Sequence, residues 1–272
     1  MKTAKKSFAY LVLILGALIM VLPFFWMIIS SLKTAAEVNT TPPTFWPKEL
    51  VFENYVYAFE KAAFLRYFCN SLLVTIVCVA CTMFTTILAA FAFSRLKFPG
   101  RDLLFSLLLS LMMIPFEMLI ITNYTTIVKL GLNDTLIALI LPFTSSIFYT
   151  YILRNFFLAI PDSLYYSARV DGASNWRYLW RVMVPMSRPA LVTIGLLDAI
   201  ACWNSFLWTV IATNTKEVRT LPFGLYAFMT SSGIRYERLM AASTIVVVPM
   251  ILLFIFCRKS IVTGVSRGGL KG

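Results

Sequence analysis

The stretch SFAYLVLILGALIMVLPFFWMIISSL, Ser7 to Leu32, runs for 26 residues without a charge. A helix rises about 1.5 Å per residue, so roughly 20 apolar residues cross the ~30 Å of hydrocarbon in a bilayer. Lys2, Lys5 and Lys6 precede the run, as in a secretory leader. A cleaved leader carries an apolar stretch of only ~7–15 residues, so this run is read as an uncleaved first span.

Five more runs follow. Tyr67 to Ser94 and Thr135 to Leu153 carry no charge before their flanking arginines. Leu103 to Val128 is interrupted by Glu117 alone, and Pro189 to Thr215 by Asp198 alone; Leu239 to Cys257 closes the series. These runs are apolar on all sides, whereas a lipid-facing barrel strand alternates. The expectation is an all-α integral membrane protein with six transmembrane helices, forming one domain over residues 1–272. Composition agrees: the chain is 60% hydrophobic and 13% charged, with a mean hydropathy of +0.82. A soluble domain is about a quarter charged. A soluble enzyme, a disordered regulator and a disulfide scaffold are excluded.

The formal charge of +12 sits in short clusters between the runs, which fits topology and not nucleic-acid recognition. With the N-terminus inside, one side receives 15 of the 24 basic residues and only Asp102, Asp162 and Asp171 as acids, a net +12. The other side nets +2. The positive-inside rule then puts both termini in the cytoplasm and the chain in the cell membrane. On the outer side, residues 33–66 form a Pro- and aromatic-rich loop, with a short interfacial helix expected over Glu53 to Phe64.

The chain has no histidine, so the commonest general base and metal ligand are absent. Cys69, Cys78, Cys81, Cys202 and Cys257 lie in or beside apolar runs and read as packing residues. No metal, no cofactor and no catalytic residue is assigned. A nucleotide-binding Gly-x-x-x-x-Gly-Lys-Ser/Thr pattern is missing.

The inside loop of about residues 154–188 carries strong helical punctuation. Pro161 leads into Asp162 and Ser163, either of which can cap a helix over Leu164 to Asp171. Gly172 supplies the left-handed residue that ends it. Ser174 caps a second helix, on which Trp176, Leu179, Trp180 and Met183 share one apolar face. Val184 and Pro185 close it. The residues alone allow two readings: an amphipathic connector on lipid headgroups, or a docking element for a soluble partner.

The run from Tyr166, Ser167, Ala168 through Asp171, Gly172 and Ser174 to Val182-Met183-Val184-Pro185 resembles the signature loop of binding-protein-dependent ABC importer permeases. The family pattern is Glu-Ala-Ala, three residues, Gly, nine residues, then Ile-x-Leu-Pro. The spacing fits, with Tyr166 in place of the glutamate, Ser167 in place of the first alanine and Val184 in place of leucine. Arg95-Leu96-Lys97-Phe98-Pro99-Gly100-Arg101, Gly131-Leu132-Asn133-Asp134-Thr135, Trp203-Asn204-Ser205-Phe206-Leu207-Trp208 and Leu221-Pro222-Phe223-Gly224-Leu225 are similar to the carbohydrate-uptake branch, of the maltose-permease G-subunit type. The resemblance implies a type I importer permease fold whose loop is a coupling helix docked in an ATPase. Tyr166, Ser167, Ala168, Asp171, Gly172, Trp176 and Pro185 then belong to the coupling loop. The tail from about residue 259, with Gly269, Leu270, Lys271 and Gly272, then reaches the ATPase dimer. The implied partners are a second homologous permease, two ATP-binding subunits that hold the ATP, an external solute-binding protein and the bilayer. The implied function is sugar import by a subunit without its own ATPase site.

Charges inside spans are costly, by ~3 kcal/mol on insertion scales, and so face a cavity or the protein. Glu117, Asp198, Trp203 and Asn204 are the candidate pathway residues. The alternative function is a secondary transporter driven by ions through Glu117 and Asp198. Trp203, Asn204, Phe206 and Trp208 could line a sugar site, since aromatic faces and amides suit polyols, but an aromatic cluster near the outer end of a helix is usually an interfacial belt.

Overall fold

Helices occupy the uncharged runs, and the third, fourth and fifth of them are broken. The computed structural model describes residues 2–61, 63–230 and 233–268. The first run lies in α1 (Lys2–Ser31); short α2 (Ala35–Val38) and α3 (Glu53–Lys61) follow, then the second run in α4 (Phe64–Arg95). The third run splits into α5 (Arg101–Leu111) and α6 (Phe116–Lys129), bent by 97°. The fourth splits into α7 (Leu136–Ile140), a 3-10 turn at Leu141–Phe143, and α8 (Ile147–Leu158), with a bend of 46°. The inside loop holds α9 (Asp162–Val170), α10 (Asn175–Tyr178), a π turn (Leu179–Met183) and α11 (Val184–Met186). The fifth run forms α12 (Arg188–Trp203) and, after a break at Asn204-Ser205, α13 (Phe206–Ala212). The sixth lies in α14 (Tyr236–Gly268), preceded by a 3-10 segment (Leu221–Phe228) and a two-residue antiparallel pairing of Met229–Thr230 with Gly233–Ile234. Among the described residues three helices are long and apolar enough to cross a bilayer, and up to six spans result if each of three bent pairs counts as one: α5 with α6, α7 with α8, and the segment Asn175–Met186 with α12, bent by 80°.

Two compact units form. One comprises the chain up to Tyr67 and Leu221–Met250; the other comprises Phe68–Thr220 and the chain from Ile251. In the first unit, α1 exposes apolar side chains all round, Met20 at 75% and Ile19 at 72% among them. Such a helix is matched to hydrocarbon, since its backbone groups are already paired internally. The loop after α1 is tied to its end. Phe25 meets Trp46 and Trp26 meets Phe45 edge-on at 5.8 Å, and the Asn54 amide donates to the carbonyls of Ser31 and Lys33 at 2.9 Å. The interfacial helix expected over Glu53 to Phe64 is α3. Its tyrosines are committed to the protein, not to headgroups: the Tyr55 hydroxyl meets Ser31 at 2.6 Å, and the Arg238 guanidinium lies 3.6 Å over the Tyr57 ring.

In the second unit, α4 carries two cores. Val74 and Cys78 pack with Ile127, Ala138, Leu139, Trp208 and Ala212. Ile87, Ala90 and Phe91, roughly 20 Å further along at 1.5 Å per residue, pack with Leu153, Phe157, Tyr178, Leu179, Met183 and Ile194. Between them, α4 repairs the break in the fourth run. Pro142 has no N–H and ends α7. The carbonyls beside it would be stranded in an apolar interior. Thr82 donates to Phe143 O at 2.6 Å, Thr85 to Thr144 O at 2.9 Å, the Cys78 thiol approaches Ile140 O at 3.9 Å, and Trp208 Nε1 donates to Ala138 O at 3.0 Å. Cys78, Thr82 and Thr85 lie at i, i+4 and i+7, one stripe of the helix.

A second tie closes the turn between α6 and α7. Asp134 is left-handed (φ 58°). Its Oδ1 accepts the N–H groups of Asn214 at 2.7 Å and Thr215 at 3.0 Å, and its own N–H donates to Ala212 O at 3.2 Å. Burial works against its charge, but these two donors and the Arg219 guanidinium outweigh burial and hold the carboxyl below its usual range.

Two predictions follow from these ties. Thr82→Val removes a donor to a freed carbonyl and costs about 1 kcal/mol, read as a lower unfolding midpoint in detergent. Thr85→Val costs less, because its hydroxyl also reaches Cys81 O and Thr82 O at 3.0 Å. Asp134 has a depressed folded pKa, so its stabilisation is complete above the unfolded value of ~3.9 and is lost as pH falls through the folded value. Asp134→Asn, which tolerates the left-handed turn, is therefore less stable than the parent at pH 7. The gap closes as unfolding is followed to pH values below the carboxylate range.

Candidate functional site at the loop between α8 and α12

The loop is built from its turns. Pro161, with ψ of 137°, starts α9, and neither Asp162 nor Ser163 caps it. The expected cap is thus corrected: Asp162 stands in the first turn, where a carboxylate suits the helix dipole. Its partner is Arg95 at the end of α4. At the other end Gly172 is left-handed (φ 74°), as expected. Its N–H donates to Arg169 O at 3.1 Å, and the Ala173 N–H donates to Ala168 O at 2.9 Å, the paired closure of a Schellman turn. The Ser174 hydroxyl then caps α10 by accepting the Arg177 N–H at 3.2 Å.

The second helix departs from its expected face. The π turn at Leu179–Met183 inserts an extra residue into the helical register. Tyr178, Leu179 and Met183 are therefore buried, Trp180 is half-buried, and Trp176 is 58% exposed, with its ring 5.6 Å from that of Trp180. The apolar face read from simple i, i+3, i+4, i+7 spacing is split between the core and the surface. Tyr165 and Ala168 are the α9 side chains that rest against the core, and the Tyr165 hydroxyl donates to Asn175 Oδ1 at 2.9 Å across the turn.

The loop residues divide accordingly. Tyr166, Ser167, Asp171, Gly172, Trp176 and Pro185 are exposed, and Ala168 is half-buried. A Cβ at Gly172 would meet nothing within 4 Å, so its constraint is conformational and no steric crowding occurs within the chain. Gly269, Leu270, Lys271 and Gly272 lie outside the described residues.

The candidate pathway residues have different surroundings. Glu117 is exposed in the first turn of α6, where the helix N-terminus after Pro115 favours a carboxylate. Asp198 is buried in α12, with one oxygen unpartnered. No hydrogen bond or ion pair joins Glu117 to Asp198 among the described residues. Trp203 is buried and meets Phe68 edge-on at 5.8 Å; Asn204 is exposed where α12 ends. Trp208 is buried and committed to Ala138, so it belongs neither to an exposed belt nor to an open site. Arg95, named in the sequence within the run Arg95–Arg101, and Arg154, counted only for topology, emerge as structural ties. Arg95 holds the start of α9. Arg154 donates from Nε to Phe93 O at 3.1 Å, and its guanidinium lies 4.2 Å from the Phe105 ring.

The family described as binding-protein-dependent transport system inner membrane component matches residues 82–268. The arabinooligosaccharides transport system permease protein AraQ of Halalkalibacterium halodurans is 32% identical over 259 residues, covering 94% of this chain and 93% of its own. The diacetylchitobiose uptake system permease protein NgcG of Streptomyces coelicolor is 30% identical over 97% of this chain and 89% of its own. In fold, the chain is similar to one in a bacterial ABC transporter involved in the import of the acidic polysaccharide alginate, with a TM-score of 0.81 over 94% of this chain and 96% of that one, at 22% identity. With sequence matched along nearly its whole length and the fold alike, this chain belongs to the inner membrane components of binding-protein-dependent transport systems, the permeases of ABC importers.

Proposed function

We propose that this chain is one of two related permeases of an ATP-driven importer for an oligosaccharide or similar sugar. The reading rests on the exposed loop α9–Gly172–α10, which presents Tyr166, Val170 and Trp176 away from the core. Val170 is 87% exposed, an apolar side chain that gains most by meeting a partner. In this reading two ATP-binding subunits grip the loops of the two permeases. ATP closes their dimer, the loops move with it, and the spans change the side from which the pathway opens. The residues of this chain bind, orient and move; the chemistry belongs to the ATPase. The spans number six when each broken run crosses once, both termini lie in the cytoplasm, and the tail 269–272 extends toward the ATPase. A solute-binding protein docks outside, on loops that include residues 216–238.

Tyr166 replaces the family glutamate, so docking here rests on apolar contact and not on an ion pair at that position. The substrate class comes from the relatives, whose names specify arabinooligosaccharides and diacetylchitobiose. Ion-driven transport finds no support in a Glu117 exposed at a helix start and a separately buried Asp198.

Two experiments test the proposal. In pull-downs, Trp176→Asp and Gly172→Asp leave the chain in the membrane but release the ATPase; the second adds a left-handed strain of ~1–2 kcal/mol to a charge at the interface. Tyr166→Phe retains the ATPase. Full retention by both Asp variants returns the loop to a lipid-surface role. In sealed cells an impermeant thiol reagent modifies Glu49→Cys and not Arg169→Cys; the reverse pattern overturns the orientation.

A further inference from the structure

The geometry points to Arg95 as the residue that carries movement of the docked loop into the spans, a positioning role that rests on the docking reading above. Arg95 is the last residue of α4, yet its side chain is only 5% exposed. Its guanidinium joins the end of α4 to the segment that leaves α8 and starts α9. Nη1 pairs with the Asp162 carboxylate at the start of α9, and Nη2 donates to Phe157 O at 2.7 Å and to Ile160 O at the exit of α8. A planar fork that is always charged suits this task, because its donors diverge in fixed directions.

The need for such a tie follows from α9 itself. None of its nine residues is buried. Its contacts with the core are the half-buried Tyr165 and Ala168. Pushing on α9 therefore moves α4 and α8 to the extent that something stiff connects them, and Arg95 makes that connection where the chain turns out of α8. Phe157 O also accepts the Ile160 N–H at 3.2 Å, so Arg95 adds a side-chain donor to a turn that the backbone has already begun to close. Asp162 is 71% exposed in its side chain, so the ion pair is the weaker part and the two carbonyl bonds the stronger. Arg154 provides the contrast. It ties α8 to Phe93 O on α4 and to Asp102 on α5, and among the described residues no hydrogen bond or ion pair joins it to α9.

The test uses the whole complex with its binding protein in liposomes. Asn204→Cys is labelled with a maleimide in the presence and absence of ATP and vanadate, and labelling is quantified by mass on its own peptide. ATP hydrolysis is measured in parallel. Arg95→Gln is expected to retain the ATPase and hydrolyse ATP, while the ATP-dependent change in labelling falls at least about fivefold, the scale of a typical coupling energy. Asp162→Asn lowers it less. Arg154→Gln keeps the ratio of labelling change to hydrolysis, even where its stability falls. A merely structural Arg95 would lower assembly and hydrolysis together and leave that ratio intact, which overturns the proposal. Should Arg95→Gln fail to assemble, Arg95→Lys and Asp162→Asn decide: an unchanged ratio in both overturns it, a reduced ratio in Arg95→Lys supports it. Absence of any ATP-dependent change in the parent complex overturns the transport reading and this proposal with it. A full response in Arg95→Gln overturns this proposal alone.

Discussion

A backbone carbonyl freed inside hydrocarbon has no water to accept from, and much of the second unit is arranged around that constraint. The fourth run breaks at Pro142, and its loose carbonyls are met by the stripe Cys78, Thr82 and Thr85 on α4 and by the Trp208 indole on α13. Each donor is small or sits at the edge of an apolar ring, so α4 approaches the break closely while the rest of its surface stays apolar. The same residues fix which face of α4 turns inward, and so where Ile87, Ala90 and Phe91 meet the second core.

That second core explains how an exposed loop can have a definite shape. Tyr178, Leu179 and Met183 sink into it through the π turn, while the Schellman turn at Gly172 and the cap at Ser174 set the angle of α9. The surface that remains is sparse in charge at the position of the family glutamate and rich in Tyr166, Val170 and Trp176. Local backbone chemistry holds the loop together; side chains from the core hold it in place.

Membership of the importer permeases accounts for both features. A permease keeps an apolar body in lipid, and the docking proposed for α9 would use a loop of fixed shape. Exposed apolar residues on α1 and on α9 look alike in composition, yet they serve different surroundings. On α1 they surround the helix. On α9, Tyr166 and Val170 stand beside the Schellman turn at Gly172.

The six apolar runs, the helical class and the two turns of the loop were legible in the sequence, because apolar length, proline, glycine and capping serine act on the chain locally. Pro115 and Pro142 stand at the breaks of the third and fourth runs, but the break at Asn204-Ser205 has no proline, and Pro23 and Pro249 lie within continuous helices. The π turn, the burial of Trp208 and the work of Thr82 were hidden, since periodicity counts residues along one helix and says nothing of a carbonyl 61 residues away. Arg95 stood in a run similar to the carbohydrate-uptake branch, but nothing in that run pointed to Asp162. By itself the sequence determined what each segment must be sheltered from; only the tertiary structure decided which side chain supplies the shelter, because a hydrogen bond depends on the distance between segments that the chain order leaves free.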